Sequence, residues 1–122
     1  WEAGVCRWWG ECHGGGVVGG TVVLGRGEMG PTPKINNNLD GGRDHWGNAY
    51  SVLWSGGGIR GGQVVGATDH HAAFVKDLPA RPDDIAATLY ELLGIPHDLV
   101  LRDATDRPHR ISEGTPIRQL LG

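Results

Sequence analysis

The chain contains little that is typical of a disulfide scaffold, a nucleic-acid binder or a membrane protein. Cys6 and Cys12 are its only cysteines, which indicates two free thiols or one local disulfide, because no second ligand pair follows at zinc spacing. Eleven basic residues against 14 acidic ones supply no basic face for phosphates, which argues against nucleic acid as a partner. No apolar run approaches the roughly 18 residues of a transmembrane helix, so we expect no membrane span.

Glycine is abundant, with 22 of 122 residues, and it limits the side-chain volume available for a core. Residues 1–20 differ from the rest, because they hold three of the five tryptophans and both cysteines. Glycine runs interrupt any periodicity there, so we predict an irregular segment that is foreign to the domain, and a division into 1–20 and 21–122. A chain that begins with Trp1 is expected to be a processed product, a fragment or an incomplete reading frame.

Apolar and β-branched runs predict short strands at 21–24, 50–55 and 63–66. A helix is predicted from Pro82, since proline suits a first turn and Asp83 and Asp84 complement the positive end of the helix dipole. Gly94 is expected to end it. Its apolar face consists of Ile85, Leu89, Leu92 and Leu93. A short extended piece at 99–102 and a helical turn at 116–121 complete the prediction.

Two polar groups next to predicted strands are the candidate site. Glu28 follows the first strand, where a carboxylate can bind a metal or act as a base, or be a solvated loop residue. Asp44 and His45 precede the second strand and offer oxygen and nitrogen ligands to a cation, although a lone histidine is more often structural. Arg43 is suited to an anionic substrate or to an ion pair with Asp44, and Trp46 to packing.

Other motifs favour structural interpretations. Three matches to the dinucleotide fingerprint, at 14–19, 25–30 and 56–61, precede no predicted helix and therefore do not predict nucleotide binding. Asp69-His70-His71 is predicted to be an exposed turn, with the two rings on opposite faces if the chain is extended. His13, His97 and His109 have no supporting partner in the sequence.

Several longer motifs resemble those of one family, the domain-of-unknown-function 1501 family. The segment from Gly27 to Asn36, read as GEMGPTPKIN, is similar to that family's G-E-[FM]-G-R-T-P-x-I-N motif. Further similarities, in the same order, are GRDHW at 42–46, GGGIRGG at 56–62, VGATD at 65–69, and DIAATLY at 84–90 with LGI at 93–95. The resemblance covers about residues 21–122.

The family is grouped with the alkaline phosphatase and sulfatase superfamily, and the resemblance therefore implies an α/β fold. We expect a C-terminal fragment of an alkaline-phosphatase-like, mostly parallel sheet with flanking helices. In that comparison Glu28 and His45 correspond to metal ligands, and Asp44, Arg43 and Asn48 to positions that support the ligands or contact an anion. Met29 replaces a superfamily histidine, and Pro31 replaces a family arginine.

The implied activity is that of a sulfatase- or phosphatase-like metal-dependent hydrolase acting on an anionic ester in the full-length parent. The implied cofactor is a divalent metal such as zinc, manganese or calcium. The superfamily nucleophile comes from an N-terminal half that this chain lacks, so we expect no catalytic residue here and an inactive chain. A non-catalytic binding or structural module is the alternative. Export to the periplasm or beyond is implied by the family alone.

Overall fold

The computed structural model describes residues 2–39 and 41–122, which form two α-helices, two 3₁₀ turns and eight short strands. The helices are α1 (Glu2–Gly14) and α2 (Pro82–Leu92), and the 3₁₀ turns are Val18–Gly20 and Arg118–Leu120. The strands are β1 (Val22–Gly25), β2 (Gly30–Pro31), β3 (His45–Trp46), β4 (Leu53–Gly56), β5 (Ala67–Thr68), β6 (Val75–Asp77), β7 (Val100–Arg102) and β8 (Pro108–Arg110). Neither helix is long and apolar enough to cross a bilayer.

The strands pair as four separate antiparallel ladders, β1–β4, β2–β3, β5–β6 and β7–β8. The predicted alkaline-phosphatase-like parallel sheet is therefore wrong for the described residues. Parallel neighbours need a long crossover, usually a helix, whereas antiparallel neighbours can be joined by short loops. In the described part of the chain, α2 is the one α-helix that lies between strands, and β6 and β7 on either side of it pair with other strands.

The longest ladder joins two of the predicted strands. β1 and β4 pair from Val22 opposite Gly56 to Gly25 opposite Leu53. Their positions agree with the predictions at 21–24 and 50–55 to within a few residues. The third predicted strand, at 63–66, is wrong, since regular pairing begins only at Ala67 in β5.

Helix α2 follows its sequence signals closely. It starts at Pro82, carries Asp83 and Asp84 in its first turn, and is followed by Gly94 in the left-handed conformation (φ +71°). Ile85 is buried, but Leu93 at the edge of the predicted apolar face is 66% exposed. The helix is therefore packed along a narrower stripe than the sequence predicts.

Asp84 connects the start of α2 to the C-terminal segment. Its carboxylate accepts hydrogen bonds from the backbone N–H groups of Arg81 (2.7 Å) and Thr115 (2.8 Å). Burial of this carboxylate opposes ionisation, but the two backbone hydrogen bonds outweigh it and lower the pKa of Asp84. One turn along, the buried Thr88 hydroxyl donates to the Asp84 carbonyl and accepts from the Ile117 N–H (2.9 Å).

The N-terminal segment is helical, so the prediction of an irregular structure there is wrong. Arg7 and Glu11 lie one turn apart and form an exposed ion pair (Nε–Oε1 3.1 Å), which favours the helix despite its glycines. Whether residues 1–20 are foreign to the domain stays a prediction.

The core is small for a chain of this length. The buried apolar side chains described are those of Ala49, Ile85, Ala87 and Leu120. The chain exposes 8900 Å² of surface, whereas a compact monomer of 13.0 kDa would expose about 6,300 Å². The half-exposed side chains include the apolar residues Leu53, Phe74, Val100 and Leu101.

Candidate functional site

The β2–β3 ladder connects the two segments that carry the predicted ligands. Gly30 lies opposite Trp46, and Pro31 lies opposite His45. Glu28 is in the bend before β2, and the exposed His45 side chain is in β3. Three positions separate Glu28 from the residue facing His45, which corresponds to at most about 10 Å of extended chain. The ladder therefore brings Glu28 and His45 into one small region.

Gly30 allows the segment at Ala49 and Tyr50, which follows β3, to pack directly against β2. It is buried, and a β-carbon at this position would collide with the Ala49 carbonyl oxygen and lie 3.1 Å from the β-carbon of Tyr50. The segment after β3 can therefore fold directly over β2 only because residue 30 has no side chain.

Asp44 is fixed by contacts that the sequence does not reveal. Its carbonyl accepts from the Thr32 N–H (2.8 Å), and its own N–H donates to the Thr32 hydroxyl (3.0 Å). Its carboxylate accepts a hydrogen bond from the Asn36 side chain (Nδ2–Oδ1 3.2 Å). These contacts hold the backbone next to His45, while support of the His45 ring by the Asp44 carboxylate stays a prediction.

The remaining predicted positions surround the ladder. Arg43 lies in the exposed loop before β3, and Asn48 lies in the exposed bend after it. Met29 is 44% exposed beside Glu28. Among the described residues, no three His, Cys, Asp or Glu side chains lie close enough to bind one metal ion. The part of the chain that the structure describes therefore does not provide the three protein ligands of a typical catalytic zinc site.

Trp46 packs against the loop between β5 and β6. Its indole N–H donates to the Ala73 carbonyl (2.6 Å), and its ring meets Phe74 edge-on with centroids 5.8 Å apart. The neighbouring Asp69-His70-His71 segment is a turn, as predicted. The rings of His70 and His71 lie 3.8 Å apart, because the alternation of side chains applies to extended chains and not to turns.

Asp69 fixes that turn. Its carboxylate accepts hydrogen bonds from the backbone N–H groups of Ala73 (2.9 Å) and His71 (3.1 Å). The Ala73 hydrogen bond is the largest cause of a lowered pKa of Asp69, because it stabilises the charged form.

Two histidines predicted to lack partners have them. His97 Nδ1 lies 3.7 Å from Glu91 Oε2, and His109 Nε2 lies 3.1 Å from Asp103 Oδ2. Hydrogen bonds from the Thr105 side chain, the Arg107 backbone and His109 hold the pKa of Asp103 well below its usual range. Asp103 therefore organises the β7–β8 loop. The Asp-x-Thr sequence at 103–105 is a turn signal that could have revealed this role.

The chain matches the family described as "Protein of unknown function (DUF1501)" over residues 13–121, and it belongs to that family. The resemblance identified from the GEMGPTPKIN and GRDHW segments is thereby confirmed at the family level. No curated protein and no solved structure matches the chain.

Proposed function

We propose that this chain supplies part of a metal-dependent hydrolase of phosphate or sulfate esters, of the alkaline phosphatase and sulfatase-like kind, and that it is inactive alone. The pairing of Pro31 with His45 carries the proposal. This pairing joins the segments that hold Glu28 and His45, the two residues that correspond to metal ligands in the resemblance.

The site needs ligands from outside the described residues, since these provide no group of three. The large exposed surface supports such an arrangement. Its excess of about 2,600 Å² over a compact monomer of this mass is in the range that permanent interfaces bury. Additional polypeptide covering the half-exposed strands β4 and β7 would both complete the core and bring further ligands.

The donor atoms indicate which metal suits the site. His45 offers a nitrogen and Glu28 an oxygen, a combination that fits zinc or manganese better than calcium, which prefers oxygen ligands alone. Arg43, in the loop before β3, and Asn48, after it, are suited to contact the anionic group of the ester. When bound, the metal would polarise the ester group and stabilise negative charge.

Two further proposals rest on the same resemblance. We propose that the protein is exported, since members of the family often carry export signals. A non-catalytic module that binds its ligand without metal is the alternative function. Replacement of a superfamily histidine by Met29 favours this alternative, because it removes one metal ligand.

Hydrolysis by a completed protein tests the function. The chain is joined to the N-terminal portion of a longer DUF1501 protein and assayed with 4-nitrophenyl phosphate and 4-nitrophenyl sulfate, with and without zinc or manganese. We expect metal-dependent hydrolysis. His45→Ala should lower kcat/KM at least about 100-fold, since loss of residues that merely support metal ligands already costs 10–100-fold.

His97→Ala is the matched control, because His97 contacts Glu91 beside α2 and does not belong to the β2–β3 ladder. It should leave hydrolysis close to that of the unmodified protein. Equal activity of the His45→Ala and His97→Ala proteins would overturn the proposed role of His45. Ligand binding without any metal-dependent hydrolysis would favour the non-catalytic module.

A further inference from the structure

A groove of about 430 Å³ lies beside the β2–β3 ladder and is distinct from the candidate metal site. Its lining consists of residues 32–34, Trp46, His71, Ala73 and Phe74. The volume falls in the range of about 300–1,000 Å³ that is usual for small-molecule sites. Neither Glu28 nor His45 lines it. Successive side chains of a strand point to opposite faces, so Trp46 faces the groove and His45 faces away from it.

One wall of the groove is aromatic and held in place. The Trp46 N–H is bonded to the Ala73 carbonyl, and Phe74 meets the Trp46 ring edge-on. The loop that carries His71 and Ala73 is fixed by the Asp69 carboxylate. A ligand therefore finds the rings already positioned and loses less entropy on binding.

Residues 32–34, which also line the groove, are held by hydrogen bonds of Thr32. The Thr32 hydroxyl donates to the Lys34 carbonyl (2.9 Å), and the Thr32 N–H donates to the Asp44 carbonyl (2.8 Å). Lys34 is exposed and belongs to the lining of the groove.

The charge of the lining defines the ligand. Among the described residues that line it, Lys34 and His71 are the titratable ones, and none is an Asp or Glu. The described lining thus combines aromatic surface with a lysine, and the neighbouring Asp69 carboxylate is already bonded to the N–H groups of His71 and Ala73. We propose that it binds a small planar aromatic acid, whose ring packs against Trp46 and Phe74 and whose acidic group lies near Lys34. This inference does not depend on the proposed hydrolase function.

Titration with 2-naphthalenesulfonate tests the proposal. Binding is followed by the indole N–H resonance of Trp46 in ¹H–¹⁵N spectra, which is assigned with Trp46→Phe. We expect the Trp46 resonance to shift until the binding site is saturated. The affinity for the sulfonate should be about two- to fivefold higher than that for neutral 2-naphthalenemethanol, because the two probes differ by one exposed charge contact. The preference should decrease at high salt. Phe74→Ala should weaken binding of both probes about two- to tenfold.

Two lysine variants distinguish binding that depends on the charge of Lys34 from binding to any apolar surface. Lys34→Gln should abolish the preference for the sulfonate, whereas Lys76→Gln, on β6 and outside the lining, should preserve it. Both lysines are exposed, so neither change threatens folding. The absence of a saturable shift would overturn the proposal. Equal affinity for the charged and neutral probes would also overturn it, and would indicate an apolar face on which other polypeptide packs.

Discussion

Gly114→Ala is expected to detach the C-terminal segment from helix α2 and to destabilise the chain by about 1–3 kcal/mol or more. Gly114 is buried, and a β-carbon there would collide with the carbonyl of Asp83 and the N–H of Asp84. These are backbone atoms at the start of a helix, and they cannot rotate away from the methyl group as a side chain could. The segment would have to move away from α2 to accommodate the methyl group.

That movement would break a set of neighbouring hydrogen bonds. Ser112 Oγ donates to the Asp83 carbonyl (3.0 Å) and accepts from the Gly114 N–H (3.1 Å). The N–H groups of Thr115 and Ile117 donate to Asp84 and Thr88. Thermal unfolding measures the loss of stability, and faster hydrogen exchange at the amides of Thr115 and Ile117 locates it.

Gly61→Ala is the control for this experiment, because a β-carbon at residue 61 would have no atom within 4 Å. Its unfolding midpoint should stay close to that of the original chain. If Gly114→Ala unfolded at the same temperature as Gly61→Ala, the close contact between residue 114 and α2 would be wrong.

Gly30→Ala is expected to have an effect of similar size, about 1–3 kcal/mol, but at the candidate site. The added methyl group would meet the Ala49 carbonyl and push the segment after β3 away from β2. Because β2 and β3 are only two residues long each, the Thr32–Asp44 hydrogen bonds at one end are the main further pairing that resists this. The two segments carrying Glu28 and His45 would then separate.

The spectroscopic reporter for this change is the Trp46 indole N–H, which is bonded to Ala73 in the intact fold. We expect its resonance to shift towards that of a solvent-exposed indole in Gly30→Ala. Gly47→Ala is the matched control, since its β-carbon would make only an ordinary contact with Met29 (3.9 Å). An unchanged Trp46 resonance in Gly30→Ala would contradict the described packing.

Local signals in the sequence predict α2 well and the pairing of strands poorly. Pro82, the two following aspartates and Gly94 act within one or two turns, so their effect can be read directly from the sequence. The direction of strand pairing depends on contacts between distant residues and on the length of the connections. The parallel sheet was expected from a resemblance, and the described strands instead pair with neighbours across loops.

The candidate site is also predictable from the sequence only in part. His45, Glu28 and Asp44 attract notice because of their chemistry and their places near strands. Thr32 and Asn36 look like ordinary loop residues, and only the folded backbone brings them to Asp44. The groove beside Trp46 joins residues about 40 positions apart, from Thr32 to Phe74, and no spacing rule connects them.

The most direct test of the account is metal-dependent thermal unfolding of the completed protein, in which the chain is joined to the N-terminal portion of a longer DUF1501 protein. The same measurement is made on its His45→Ala variant, with His97→Ala as the control. A metal that binds only the folded chain must stabilise it, by about 1.4 kcal/mol at ten times its dissociation constant. The account predicts that zinc or manganese raises the midpoint of the completed protein and of its His97→Ala variant, but not that of its His45→Ala variant. An equal rise in all three proteins, or no rise in any, would contradict the assignment of His45 as a metal ligand.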